Sequence, residues 1–310
     1  MTFLISVLLL PCLFWDKGPE TINQLRQARI TRIAVPPSLA ESWKNVSDIA
    51  IDTADPSRLE KVEAPGVVLR PEISSATHAP WVNSNGWRFL RNAAGHFLCQ
   101  APGSAAALAT AEAFMFGASA AIHTDDAGLE PFGQMLSFLG RLRNDDFSPL
   151  VDIGFIDDGT PASGEFMNLL IRRNLLFKVV KRPDPKLDLT VALGSHDYPR
   201  SEAQNPSLLA EKVRSNLTDQ KRLLRIYGSE VVIGRLVSDR RCARLFLINY
   251  GVARSPVHGL RVRVLGKYAN PTAMQFDSAD TSLQDVSNDP SGIEFTLPEL
   301  KTFAVIHLCH

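Results

Sequence analysis

Near Glu230 the hydrophobic period of this 310-residue chain changes from helical to two, and no other feature constrains its fold as tightly. Beyond that point Val231–Val237, Ala243–Asn249, Leu260–Leu265, Ile293–Leu297 and Thr302–Leu308 are short runs rich in Val, Ile, Leu and Phe. In the third run Leu260, Val262 and Val264 alternate with Arg261 and Arg263, which marks one buried and one wet face. Asn249-Tyr250-Gly251, Ser255-Pro256 and Asp289-Pro290-Ser291-Gly292 supply the turns. Residues 230–310 are therefore expected to form an antiparallel β-sandwich.

Upstream, strands alternate with helices. In 149–229 the runs Val151–Ile156, Leu175–Val180, Leu187–Leu193 and Leu223–Tyr227 read as strands. Between them Gly164–Asn174 reads as a helix, as does a second helix capped by Asn205 and opened by Pro206. Crossovers of this kind predict a small parallel layer, Rossmann- or flavodoxin-like. In 15–145, Pro19-Glu20 opens a helix with Ile22, Leu25 and Ala28 inward, and Thr31–Val35 is a strand. Ser38 is placed to cap a helix carrying Leu39 and Trp43; Asp48–Asp52 and Val67–Arg70 are further strands. Helix Ala105–Phe116, strand Ala118–His123 and helix Leu129–Leu142 complete the region. A full (β/α)8 barrel takes about 250 residues. A segment of half that length is either an abbreviated barrel-like region or an open sheet. The fold class expected is thus α/β followed by all-β.

Residues 1–14, MTFLISVLLLPCLF, have the length and apolarity of a signal segment, without a basic flank or an A-x-A cleavage site. The alternatives are export, to a secreted or periplasmic location, and a buried first strand in a cytoplasmic protein. No run reaches the length of about 20 apolar residues that a membrane span needs. The cysteines, Cys12, Cys99, Cys242 and Cys309, show no zinc spacing; one disulfide among the last three is allowed. Net charge is zero, so nothing draws the whole chain to nucleic acid. Acids concentrate between Glu112 and Glu165 and bases between Glu211 and Lys267, as solvated faces of two modules would have them.

Candidate chemistry gathers at expected strand ends. His123, Asp125 and Asp126 follow a buried strand on the side where parallel sheets bind ligands, one of the two aspartates serving as a cap for the next helix. Glu72 follows the Val67–Arg70 strand in the same position, so Glu72 and Asp125 are the candidate catalytic carboxyl pair for glycoside hydrolysis. Trp81, Asn83 and Trp87, in PWVNSNGW, suit sugar stacking and hydroxyl bonding as well as they suit a packed loop. With His123 and Asp126 they form the candidate substrate-binding set. Asp157-Asp158-Gly159-Thr160 reads as a structural turn and helix cap, since its carboxylates would repel a phosphate. No G-x-S-x-G elbow, dinucleotide fingerprint or P-loop occurs, and nothing asks for a cofactor.

The stretch VVIGRLVSDRRCARLFLINYG, with IEFTLPELKTFAVIHL, resembles the C-terminal β-modules of carbohydrate-active enzymes. VDIGFIDDGTPASGEFMNLLIRRNLLFKVV is similar to the glutamine-amidotransferase-like layer of β-galactosidase-type glycoside hydrolases. The resemblance implies a carbohydrate ligand, a layer serving structure or homo-oligomer formation, and a barrel bearing two catalytic glutamates. Glu72 is the sole glutamate at a plausible strand end, and the family's Asn-Glu acid signature is absent. Two functions follow as expectations: hydrolysis of a β-linked sugar, or sugar binding and assembly by a non-catalytic relative.

Overall fold

A computed structural model describes residues 10–68, 81–142, 147–239, 241–251, 255–279 and 282–309. Its contacts divide the chain into two compact units, Met1–Gly66 with Asn92–Asn144, and Val67–Arg91 with Asp145–His310. Residues 67–91, inside the expected 15–145 region, thus belong with the second unit, which also holds both the parallel layer and the sandwich.

In chain order the first part comprises β1 (Cys12–Phe14), α1 (Ile22–Gln27), β2 (Arg32–Val35), β3 (Ala50–Thr53), β4 (Glu60–Val62) and β5 (Gly66–Val68). Then come β6 (Trp81–Asn83), α2 (Gly86–Arg91), β7 (His96–Gln100), α3 (Ala105–Phe116), β8 (Ser119–His123) and α4 (Asp126–Leu139). The first unit is built on one six-stranded sheet ordered β3-β2-β1-β8-β7-β4, every pair parallel. The sheet is open, with β3 and β4 at its edges, which corrects the barrel-like expectation. Strands of three to five residues joined by so few helices cannot close a ring.

Leu13 is apolar because β1 lies in mid-sheet, where Leu13 pairs with Ile33 on one side and Ile122 on the other. All three are fully buried, as the two covered faces of a parallel sheet require. The helix expected after Ser38 is only a 3-10 turn at Pro37–Leu39. The strand expected at Val67–Arg70 is in part β5, which pairs with β6 in a separate two-stranded sheet, so it does not extend the parallel one.

The second unit adds β9 (Ser148–Pro149), β10 (Ile153–Ile156), α5 (Pro161–Arg172), β11 (Phe177–Val179), β12 (Leu189–Ala192), α6 (Pro206–Lys221) and β13 (Leu224–Tyr227). It ends with β14 (Val232–Ser238), β15 (Cys242–Asn249), β16 (Val257–Leu265), β17 (Ala269–Gln275), β18 (Gln284–Asp289), β19 (Gly292–Leu300) and β20 (Phe303–Cys309). The parallel layer has three strands, β11-β10-β12. The run Leu223–Tyr227, expected as its last strand, instead supplies β13, which pairs antiparallel with β16, Leu224 opposite Val264 and Ile226 opposite Val262. Its strict alternation fits a half-buried antiparallel edge better than a doubly covered parallel strand. Sheets β13-β16-β19-β18 and β17-β20-β15-β14-β9 carry the sandwich core, with Leu236, Leu245, Leu247, Val262, Phe295 and Ile306 buried between them. Cys242 and Cys309 stand opposite each other on β15 and β20 and are joined by a disulfide.

Candidate functional site

In the first unit the chain steps outward from β1 to β2 and β3, then returns from the far edge through β4 and β7 to β8. The direction of winding therefore reverses between β1 and β8. At such a point the connections leave toward opposite sides, opening a crevice beyond the carboxyl ends of the strands.

Three strands deliver polar side chains there. The loop after β1 is fixed by its own tryptophans: Trp15 Nε1 donates to Thr21 Oγ1 at 2.9 Å and Trp43 Nε1 donates to the Lys17 carbonyl at 3.1 Å. That anchorage places Asp16 and Lys17. His123, at the end of β8, has Nε2 3.3 Å from Asp16 Oδ2 and Nδ1 2.7 Å from Gln100 Oε1 at the end of β7. Phe14 packs edge-on against the imidazole, its centroid 5.8 Å away. Lys17 Nζ reaches Asp126 Oδ1 at 2.5 Å. Each carboxylate engages one oxygen in these pairs, so Asp16 and Asp126 each keep a further acceptor oxygen.

Asp125 has a different task. It is the N-cap of α4, and its Oδ1 accepts from the backbone N–H of Gly128 at 3.0 Å and of Gly103 at 2.8 Å. One oxygen thus caps α4 and pins the loop before α3. Asp126, its neighbour, is exposed and turned to Lys17. Glu72 lies outside the described residues.

The remaining expected binders belong to the second unit. Trp81 lies in β6 with the Arg172 guanidinium 3.7 Å above its ring, a stacked arrangement that covers one indole face. Trp87, in α2, carries Arg88 at 4.4 Å and Arg91 at 5.7 Å from its centroid. Asn83 closes β6 and is half-buried. The structure therefore brings His123 and Asp126 together in one unit, while Trp81, Asn83 and Trp87 form a group in the other.

The acidic turn after β10 is structural. Arg91 grips Asp157 with two bonds, Nε to Oδ2 at 2.8 Å and Nη2 to Oδ1 at 2.7 Å, holding that carboxyl below its usual range. For Asp158, burial acts to raise the pKa, but bonds from Ser163, Thr160 and Arg200 prevail and keep it well below the ordinary value. Thr160 caps α5 by accepting from Ser163 N–H. Among the described residues no cluster of three His, Cys, Asp or Glu side chains could hold a metal, and no helix is long and apolar enough to cross a membrane.

Asp16, Lys17 and Gln100 escaped the sequence reading. Asp16 and Lys17 follow the apolar run 1–14 after Trp15, and its alternative as a strand would have made them its polar exit. Gln100 ends HFLCQ, an apolar core between polar ends followed by Pro102-Gly103, which is the signature of a short buried strand.

The coordinates match α-L-fucosidase isoenzyme 2 from Paenibacillus thiaminolyticus with a TM-score of 0.53 and 9% identity, over 72% of this chain and 62% of that one. Over the matched part the fold is similar to that of this fucosidase. A catalytic mutant of a GH42 β-galactosidase from G. stearothermophilus matches 96% of this chain and 63% of its own at 8% identity, with a TM-score of 0.39. The chain spans less than two thirds of either relative's length, and at these identities the likeness concerns fold alone. No family model matches the chain, and no curated protein matches it in sequence.

Proposed function

We propose that this protein is carbohydrate-active and holds a sugar at the carboxyl edge of β1, β7 and β8. The observation that carries the reading is the meeting of Asp16 and His123 at 3.3 Å from the two strands that flank the reversal, with Gln100 on the far ring nitrogen. Carboxylate acceptors set beside amide and ammonium donors suit hydroxyls, each of which donates once and accepts twice. The glycoside-hydrolase-like fold supports the same ligand class. His123 stands between Asp16 and Gln100, where it is placed to position both.

Binding is the function the geometry favours. Hydrolysis of a β-linked sugar by Glu72 and Asp125 is the second reading, favoured by the fold and by the second carboxylate oxygen of Asp125, which its cap bonds leave unused. The disulfide between Cys242 and Cys309 supports export to an oxidising compartment. A test combines isothermal titration with neutral mono- and disaccharides and release of p-nitrophenol from aryl β-glycosides. Saturable binding that His123→Ala and Asp16→Asn weaken, without turnover, fits the binding reading. Turnover abolished by Asp125→Asn and Glu72→Gln moves the protein to the hydrolytic one. A protein that neither binds nor cleaves any sugar is not carbohydrate-active.

A further inference from the structure

In the second unit one buried amide oxygen has no hydrogen-bond partner among the described residues, on a helix with Trp87 against one end and Trp81 under an arginine of the other. Asn168 on α5 is 7% exposed, and its Oδ1 is buried with no hydrogen bond. An amide left so costs about 1–3 kcal/mol, which a fold keeps only where something else requires the group. Gly164, Asn168 and Arg172 stand four residues apart and so share one face of α5. At one end of that stripe a Cβ on Gly164 would come within 2.7 Å of Trp87 Cζ3, so the helix backbone lies directly against that indole. At the other end the Arg172 guanidinium stacks 3.7 Å from the Trp81 centroid. Asn168 is midway, ~6 Å of helix rise from each.

We propose that Asn168, between Trp87 and Trp81, is the hydrogen-bonding floor of a neutral-sugar subsite, with Arg172 as its movable cover. The inference rests on the carbohydrate reading and assigns a second place of contact. A carbonyl oxygen needs a donor, which a hydroxyl supplies and an ionised carboxylate or phosphate cannot. The planar guanidinium occupies the position on Trp81 where the C–H face of a sugar ring would stack. When Arg172 swings off the indole, that face and the Asn168 oxygen open together. A ligand stacked on Trp81 then donates one hydroxyl to Oδ1.

The experiment is a tryptophan-fluorescence titration of the full chain with L-fucose, D-galactose and lactose, using the parent, Asn168→Ala and Arg172→Ala, each checked by far-ultraviolet circular dichroism. The parent should give a saturable emission change that Asn168→Ala weakens by about tenfold or more. Arg172→Ala should tighten it. A parent that binds sugar while Asn168→Ala binds it equally well overturns the subsite and leaves the carbohydrate reading standing. Should Asn168→Ala fail to fold, the test passes to Arg172→Ala, where unchanged or weaker binding overturns it. A parent with no response to any sugar by fluorescence or calorimetry removes both.

Discussion

Asp152 accepts a hydrogen bond from the backbone N–H of Leu223 at 3.0 Å, across 71 residues of chain. The carboxylate stands just before β10 and the amide just before β13, so one side chain fastens the parallel layer to the first strand of the sandwich. Asp152 is 1% exposed. Burial pushes its carboxyl up to about 7; Asp188 adds to the rise, and the Leu223 bond and Arg222 oppose it.

A pH dependence of stability follows. The folded pKa lies above the unfolded value near 3.8, so between those values the native state holds the extra proton. Stability from this group is complete below pH 3.8 and is lost as pH rises through about 7. Asp152→Asn keeps an acceptor for Leu223 and carries no charge. Urea unfolding should show the variant more stable than the parent at pH 8, by up to about 4 kcal/mol, and equal to it at pH 4. Parallel pH profiles for the two proteins would exclude this role for Asp152.

Asn174 makes a second tie to the sandwich. It sits at φ +53°, buried, with Nδ2 donating to the Val232 carbonyl at 3.1 Å and Oδ1 accepting from Gly234 N–H at 2.7 Å. Asn174→Ala leaves both backbone groups unpaired and strains the left-handed backbone, and should cost about 3 kcal/mol. Asn174→Gly relieves the strain alone, so it should recover part of the loss in thermal unfolding. Equal melting temperatures for the parent and both variants would show that the amide bonds contribute nothing.

The Cys242–Cys309 disulfide closes a loop of 67 residues. Chain entropy puts its contribution at up to about 4 kcal/mol. The double variant Cys242→Ser with Cys309→Ser should unfold at lower denaturant concentration, and reductant should lower the midpoint of the parent alone. A parent unaffected by reductant under conditions where thiol titration shows the bond broken would contradict this.

Asp125 offers a way to separate scaffold from chemistry. Asp125→Ala removes the cap of α4 and the anchor of Gly103, and should cost about 1–2 kcal/mol. Asp125→Asn keeps an oxygen acceptor, so its stability should stay close to that of the parent. If any glycosidase activity exists and survives Asp125→Asn, Asp125 is structural only.

Sequence and tertiary structure divide this protein between them along physical lines. Period-two alternation in Leu260–Leu265 and Ile293–Leu297 announced the sandwich because one face of each strand is buried, and burial is written directly into residue type. Helices α3 and α6 were legible through composition and caps, Asn205 with Pro206 above all. Strands β17 (ANPTAMQ) and β18 (QDVSND) were not, since edge strands answer to a neighbour's hydrogen bonds and carry polar residues, Pro271 among them, that mimic a loop. The run Leu223–Tyr227 was recognised as a strand but not as a partner of β16, because pairing is a long-range choice that alternation does not encode. The polar site followed the same rule. His123 and Asp126 stood out as candidates from the end of a buried strand, whereas Asp16 and Gln100 come beside His123 only because β1, β7 and β8 lie side by side in the sheet. Local chemistry is fixed by neighbours along the chain; convergence of side chains 16, 100 and 123 depends on strand order, which only the folded sheet decides.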